Sequence, residues 1–283
     1  MGLNMANYTA ADIKELRERT GAGMMDVKKA LDEANGDAEK AIEIIRIKGL
    51  KGATKREGRS TAEGLVAAQV VEGKIGYLVE VNCETDFVAK SDKFIQLANK
   101  VLETAVASGS GDLETVLAAD VEGKKLADYV IEEGAVLGEK IVVRRTARVE
   151  GAAVEAYLHK TSKDLPAQVG VLIAVDADSA AARSVAHDVA VHTAAMAPTY
   201  LSREEVPADL VENERRIAEE TARAEGKPEA AMTKIVEGRL TGFFKEGVLV
   251  DQAFAKDAKK SVGAVLKEAN ANATAFVRFR VGA

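Results

Sequence analysis

The chain has 283 residues, 47% hydrophobic, 30% charged and only 4% aromatic, with no tryptophan. Such a chain can bury one large core or two modest ones, and its composition reads as soluble and helix-rich. A formal net charge of −6 argues against a protein that coats nucleic acid, because phosphate binding needs a basic excess or patch. The single cysteine, Cys83, excludes an internal disulfide framework and fits a reducing cytoplasm. Residues 1–6 lack the basic-then-apolar pattern of a secretory signal, and no run of about 18 apolar residues reads as a membrane span.

The first 48 residues read as three short helices. Thr9 precedes Ala10-Ala11-Asp12, an N-cap with an acid three residues on, and Ile13, Leu16 and Arg17 follow at helical spacing. Thr20-Gly21-Ala22-Gly23 breaks this helix. Met24, Val27, Lys28 and Leu31 give the next one a stripe, Asn35-Gly36 stops it, and Asp37 is placed to cap a third carrying Ala41, Ile42 and Ile45. Lys48 to Arg59 holds Gly49, Gly52 and Gly58 among five basic residues, and reads as a solvated tether. A strip that contacts RNA is the lesser alternative.

Leu65 to Val71, the turn Glu72-Gly73-Lys74 and the alternating run Ile75 to Val81 predict a strand pair. A helix from Asp92 to Ala107 places Phe94, Leu97, Val101 and Ala105 on one face, and Lys140 to Val149 reads as a further strand. Strand, strand, helix then recurs roughly 90 residues on, as Ala152 to His159, Val169 to Val175 and Ser179 to Ala195. Asp209 to Glu246 carries two helical stripes, one with Leu210, Ile217 and Ala224, the other with Met232, Ile235, Val236, Leu240 and Phe243. Gly226-Lys227-Pro228 turns the chain between them, giving a helical hairpin. Ala275 to Val281 is a final strand, whose partner is expected in the sheet of the second half. The expected class is α+β. Its divisions are residues 1–55 as a three-helix module with linker, 56–150 and 151–208 as two core halves, 209–247 as an inserted hairpin, and 248–283 as a return to the second half.

Reactive chemistry is hard to find. His159, His187 and His192 form no i, i+4 pair, and with one cysteine no zinc pattern arises. No Gly-rich phosphate loop ends in Lys-Ser or Lys-Thr, so the chain is not expected to hydrolyse nucleotide, and no cofactor is expected. Cys83 in a strand reads as a small buried hydrophobe rather than a nucleophile. The odd segment is Asn82-Cys83-Glu84-Thr85-Asp86-Phe87-Val88-Ala89-Lys90-Ser91, where an acid and an aromatic meet at a strand-to-helix junction. Phe87 could staple the helix to the sheet while Asp86 caps its first turn. Alternatively, an exposed ring on a rigid mount could probe a partner's pocket.

Two stretches resemble signatures of the elongation factor Ts family. The first is Leu16-Arg17-Glu18-Arg19-Thr20-Gly21-Ala22-Gly23-Met24-Met25-Asp26-Val27-Lys28-Lys29-Ala30-Leu31. The second is Glu80-Val81-Asn82-Cys83-Glu84-Thr85-Asp86-Phe87-Val88-Ala89-Lys90. The resemblance extends over almost the whole chain, through Lys227-Pro228 and Val236-Glu237-Gly238-Arg239 to Phe279-Arg280-Val281-Gly282. It implies a non-enzymatic exchange factor for the GTPase elongation factor Tu, without metal, membrane or direct nucleic-acid contact. It also implies a ubiquitin-associated-like N-terminal module docking on the GTPase domain, with Leu16, Met24 and Met25 as contact candidates. The hairpin becomes a coiled-coil insertion used for partner contact, or for a homodimer or 2:2 complex.

Asp86 and Phe87, flanked by Thr85 and Val88, match the family's wedge near the magnesium and phosphate site. His192 inherits a contact with another domain of the partner. A further C-terminal helix of some members, and its contact, are expected to be missing after Ala283. The second half, in which Val175-Asp176-Ala177-Asp178 leads straight into a helix, carries no wedge. Two rivals remain: an adaptor with Phe87 buried as packing, and a thiol enzyme pairing Cys83 with a distant histidine. Exposure of Phe87 and Cys83 separates them.

Overall fold

The computed structural model describes residues 7–20 and 22–283, so the readings of residues 1–6 and of Gly21 lie outside the described residues. Three helices come first: α1 (Ala10–Thr20), α2 (Met24–Glu33) and α3 (Ala38–Arg56). Asp12 and Thr9 form the expected reciprocal cap. The Asp12 carboxylate accepts the Thr9 N–H at 2.6 Å, and the Asp12 N–H donates to the Thr9 hydroxyl at 3.3 Å. Asn35 and Gly36, both with positive φ, reverse the chain, and Asp37 accepts the Lys40 N–H at 3.1 Å to start α3. Leu16, Val27, Ala30, Leu31 and Ala41 close a small core among the three helices.

The first half of the core continues as β1 (Glu63–Val71), β2 (Ile75–Cys83), α4 (Asp86–Ala89), α5 (Asp92–Ser108), α6 (Leu113–Ala118), the two-residue strands β3 (Asp120–Val121) and β4 (Lys124–Lys125), α7 (Leu126–Leu137) and β5 (Val142–Glu150). The second half follows as β6 (Ala153–His159), β7 (Val169–Val175) and α8 (Ala180–Met196). The hairpin helices α9 (Ala208–Ala224) and α10 (Met232–Gly247) come next, then β8 (Ala253–Phe254), β9 (Asp257–Ser261), α11 (Val262–Glu268) and β10 (Ala273–Arg280). The class is α+β. Both main sheets are antiparallel with the later strand of the opening pair at the centre: β1-β2-β5 and β10-β7-β6. The last strand joins the second sheet, as its sequence position suggests. Each half also contains a short strand pair followed by a helix, β3-β4-α7 and β8-β9-α11, which no pattern in the sequence marks.

The two sheets lie face to face with helices outside them. Tyr77, Val79, Val81 and Cys83 of β2 point to α5 and α7, while Leu78 points to the second sheet. On β7, Val171, Ile173 and Val175 point to α8 and α11, and Leu172 and Ala174 point back. The period-two pattern of β2 therefore marks two buried faces, not one buried and one wet. Close approach of the sheets depends on Gly76, where a Cβ would lie 2.8 Å from Val154 Cγ1, and on Gly170, where it would lie 2.7 Å from Leu78 Cδ1.

The tether expected over 48–59 is corrected. Helix α3 continues to Arg56 because it packs on α7. Arg46 meets Glu132 at 2.6 Å, and at Gly49 the backbone of α3 comes so close that a Cβ would lie 2.7 Å from Ala135 Cβ. A helical glycine costs about 1 kcal/mol relative to alanine, and burial against α7 offsets that cost. Among the described residues, no helix is long and apolar enough to cross a membrane.

Candidate partner-binding site

The candidate site begins where β2 runs out of ladder partners at Cys83. Thr85 has extended backbone, and its hydroxyl accepts the Val88 N–H at 3.3 Å, capping the single turn α4. The Ser91 hydroxyl donates to the Val88 carbonyl at 2.8 Å and accepts the Phe94 N–H at 3.3 Å, which opens α5 directly afterwards. Two hydroxyl caps in succession thus set a helical turn on the end of a strand. Ala89 and Phe94 are fully buried and Val88 partly so, which anchors the turn from below.

The geometry of one turn then leaves Asp86 and Phe87 facing outward. Phe87 is 73% exposed. Lys90 Nζ lies 4.6 Å from its ring centroid and 3.4 Å from Asp86 Oδ2, so acid, ring and ammonium share one small surface. The stapling alternative is corrected on both counts. Thr85, not Asp86, supplies the cap, and Phe87 stands exposed outside the core cluster beneath the turn.

The remaining candidates separate. Met24 and Met25, 57% and 63% exposed, open α2 on the N-terminal helices. Leu16 is interior to that bundle, so it shapes the module and offers no surface. His192 is also interior, a correction to its expected surface contact. Its Nε2 pairs with Gln252 Oε1 at 2.8 Å, and its Nδ1 accepts the Ala255 N–H at 3.1 Å. Burial holds its pKa below the ordinary histidine value, partly opposed by the Gln252 bond.

Cys83 has no chemistry to offer. It is fully buried, its thiol donates to the Thr85 carbonyl at 3.2 Å, and burial, with Glu139 next in effect, pushes its pKa up to about 12. No hydrogen bond among the described residues joins the thiol to His159, His187 or His192. Among the described residues, no group of three or more His, Cys, Asp or Glu side chains is arranged to hold a metal ion. A cleft of about 600 Å³ opens beside the α3–α7 contact, lined by the end of α1, the start of α2, α3 and α7, and none of residues 84–90 lines it. Sequence patterns also gave no sign of Glu139 and Lys140, which meet the segment Glu84-Thr85 from the loop after α7. They lie about 55 residues away in sequence, and a contact of that span leaves no local period to read.

The family model described as "Elongation factor TS" matches residues 84–283. A protein of Pseudarthrobacter chlorophenolicus named "Elongation factor Ts" is 80% identical over 278 residues, covering 98% of this chain and all of the relative. Proteins of the same name from Micrococcus luteus and Kineococcus radiotolerans are 76% and 56% identical, covering 98% and 99% of this chain and all of each relative. With a family match over most of its length and relatives this similar from end to end, the chain belongs to the elongation factor Ts family.

Proposed function

We propose that this chain is the guanine nucleotide exchange factor of elongation factor Tu in translation elongation, acting in the cytoplasm without chemistry of its own. The observation that carries this reading is the exposed ring of Phe87 on a turn that is capped at both ends and anchored beneath. Family membership supplies the partner, and exposure supports a wedge over an adaptor, for which the ring would be packing. The ring enters the GTPase domain near its magnesium and phosphate site. A magnesium ion demands near-ideal octahedral geometry, so a small displacement of its shell weakens nucleotide binding. A factor that prefers the deformed partner must itself bind more weakly when nucleotide is present, because the coupling is reciprocal. Helices α1 to α3, with Met24 and Met25, supply affinity, and His192 acts only by packing within its half. The test is release of labelled GDP from purified elongation factor Tu. The chain should accelerate release at substoichiometric amounts, and an unchanged rate in the presence of a formed complex would leave the adaptor reading.

A further inference from the structure

Behind the exposed turn lies a clamp made from a distant loop. Glu139, between α7 and β5, aims its carboxylate at the strand-to-helix junction. Its Oε2 accepts the Glu84 N–H at 2.9 Å and the Thr85 N–H at 3.1 Å, and its Oε1 accepts the Thr85 hydroxyl at 2.5 Å. That hydroxyl is the one that caps α4 by accepting the Val88 N–H. The return bond runs from the Lys140 N–H to Glu84 Oε1 at 2.7 Å, so the two loops hold each other through reciprocal carboxylate-to-backbone bonds. The chain leaving α3 joins the same node. Lys140 Nζ donates to the carbonyls of Glu57 and Arg59, and Arg59 meets Glu84 at 3.2 Å.

This clamp answers a specific need. The ladder of β2 ends at Cys83, so the N–H groups of Glu84 and Thr85 have no strand to bond. A helix of one turn cannot hold itself in water, because its nucleus fixes several residues for a single hydrogen bond. Glu139 satisfies both N–H groups and fixes the capping hydroxyl with one side chain. Resting on the exchange reading above, we infer that Glu139 is the positioning residue of the wedge. It holds Thr85 to Val88 in place before the partner arrives, so contact energy deforms the partner instead of ordering this turn.

The test is stopped-flow release of fluorescent GDP from elongation factor Tu, titrated with factor to separate the maximal rate from the half-saturating concentration. Glu139→Ala should lower the maximal rate about tenfold and leave the half-saturating concentration within about twofold. Glu139→Gln should keep most activity, because the amide oxygen still accepts both N–H groups and its NH₂ can donate to the Thr85 hydroxyl. Thr85→Ser, which retains the hydroxyl, should behave as the unaltered protein, and Thr85→Val as Glu139→Ala. In a Phe87→Ala background, Glu139→Ala should change nothing further, since it acts through that ring. A normal maximal rate for Glu139→Ala overturns the assignment. So does a change confined to the half-saturating concentration, or an equal loss with Phe87 already removed. If Glu139→Ala does not fold, the Thr85→Ser and Thr85→Val pair decides the same question from the other end of the bond. Normal exchange by Phe87→Ala sinks the exchange reading itself, whereas an impaired Phe87→Ala beside a normal Glu139→Ala sinks the positioning role alone.

Discussion

Phe87 and Phe94 sit seven residues apart and do opposite work, one open to solvent and the other buried on the inner face of α5. Truncating an exposed side chain changes folding stability by about 0.5 kcal/mol or less, so Phe87→Ala should melt within about 2 °C of the unaltered protein. An interface aromatic can carry about 2 kcal/mol or more, so the same variant should release GDP from elongation factor Tu roughly tenfold more slowly or worse. A melting curve and a release curve on one sample decide the matter, and normal release would refute the wedge. His192 makes a different forecast. Its Nδ1 accepts the Ala255 N–H, so protonation there sets two donors against each other in a buried place. Its folded pKa is lowered, so the unfolded chain takes up that proton first. Stability is then complete above the ordinary histidine pKa of about 6.5 and falls as pH drops below it. His192→Asn keeps an acceptor for Ala255 and cannot titrate. Between about pH 7.5 and about pH 5.5, the melting temperature of the unaltered protein should fall more steeply than that of the variant. Parallel curves would show that His192 does not titrate against folding.

Helices α9 and α10 bury Ala218, Ala222, Met232, Val236 and Leu240 against each other. Arg215–Glu237 at 2.6 Å and Arg239–Glu225 at 2.7 Å cross-link them. Backbone bonds close the base of the hairpin. Thr199 and Tyr200 donate to the Gly247 carbonyl at 2.9 and 3.1 Å, and Leu249 donates to Tyr200 at 2.8 Å. A loop replacing residues 209–246 should therefore leave a protein that unfolds cooperatively within about 5 °C of the intact one, as scanning calorimetry would show. A broad or absent transition would mean that the hairpin completes the core. This element was legible because the Met232–Leu240 stripe and a Gly-Lys-Pro turn mark it in sequence, whereas the stripe of Leu210, Ile217 and Ala224 expected on α9 is corrected, since Ile217 and Ala224 are exposed and Ala218 and Ala222 face α10. The two-residue strands β3, β4 and β8 were not legible, since so short a strand has no period, and neither was β9, whose Asp257-Ala258-Lys259-Lys260-Ser261 has no apolar alternation. Helix α3 was cut short at its glycines because its packing on α7, which overrides local propensity, is a tertiary fact. At the site, the Thr85–Val88 segment could be singled out from residue chemistry, but the direction of the Phe87 ring depends on two caps, and the clamp on a carboxylate about 55 residues on.

The two halves share a central-strand pattern, Ile75-Gly76-Tyr77-Leu78-Val79-Glu80-Val81 and Val169-Gly170-Val171-Leu172-Ile173-Ala174-Val175. Each glycine makes room for the leucine of the other strand, so the face between the sheets is built from reciprocal parts. The sixth position breaks the likeness, with Ala174 in one strand and Glu80 in the other. Glu80 is fully buried. Its Oε2 takes Arg145 Nε at 2.6 Å from the neighbouring strand, and its Oε1 has no hydrogen-bond partner among the described residues. Arg145 stacks 4.4 Å from the Phe279 ring centroid and donates to the Arg280 carbonyl at 3.0 Å, so a pair within the first sheet also reaches the last strand of the second. A buried ion pair adds little net stability, since desolvation cancels much of its attraction, yet removing one partner strands a charge at about 3–5 kcal/mol. Arg145 keeps some contact with water, which places the loss for Arg145→Met near the lower figure. Removing both charges, as Glu80→Met with Arg145→Met, should restore most of that loss, because no carboxylate is then left alone between the sheets. Urea unfolding of the unaltered protein, both single variants and the double variant measures the coupling directly. If the two single losses instead add in the double variant, Glu80 and Arg145 act independently, and the pair does not act as a unit in joining the two sheets.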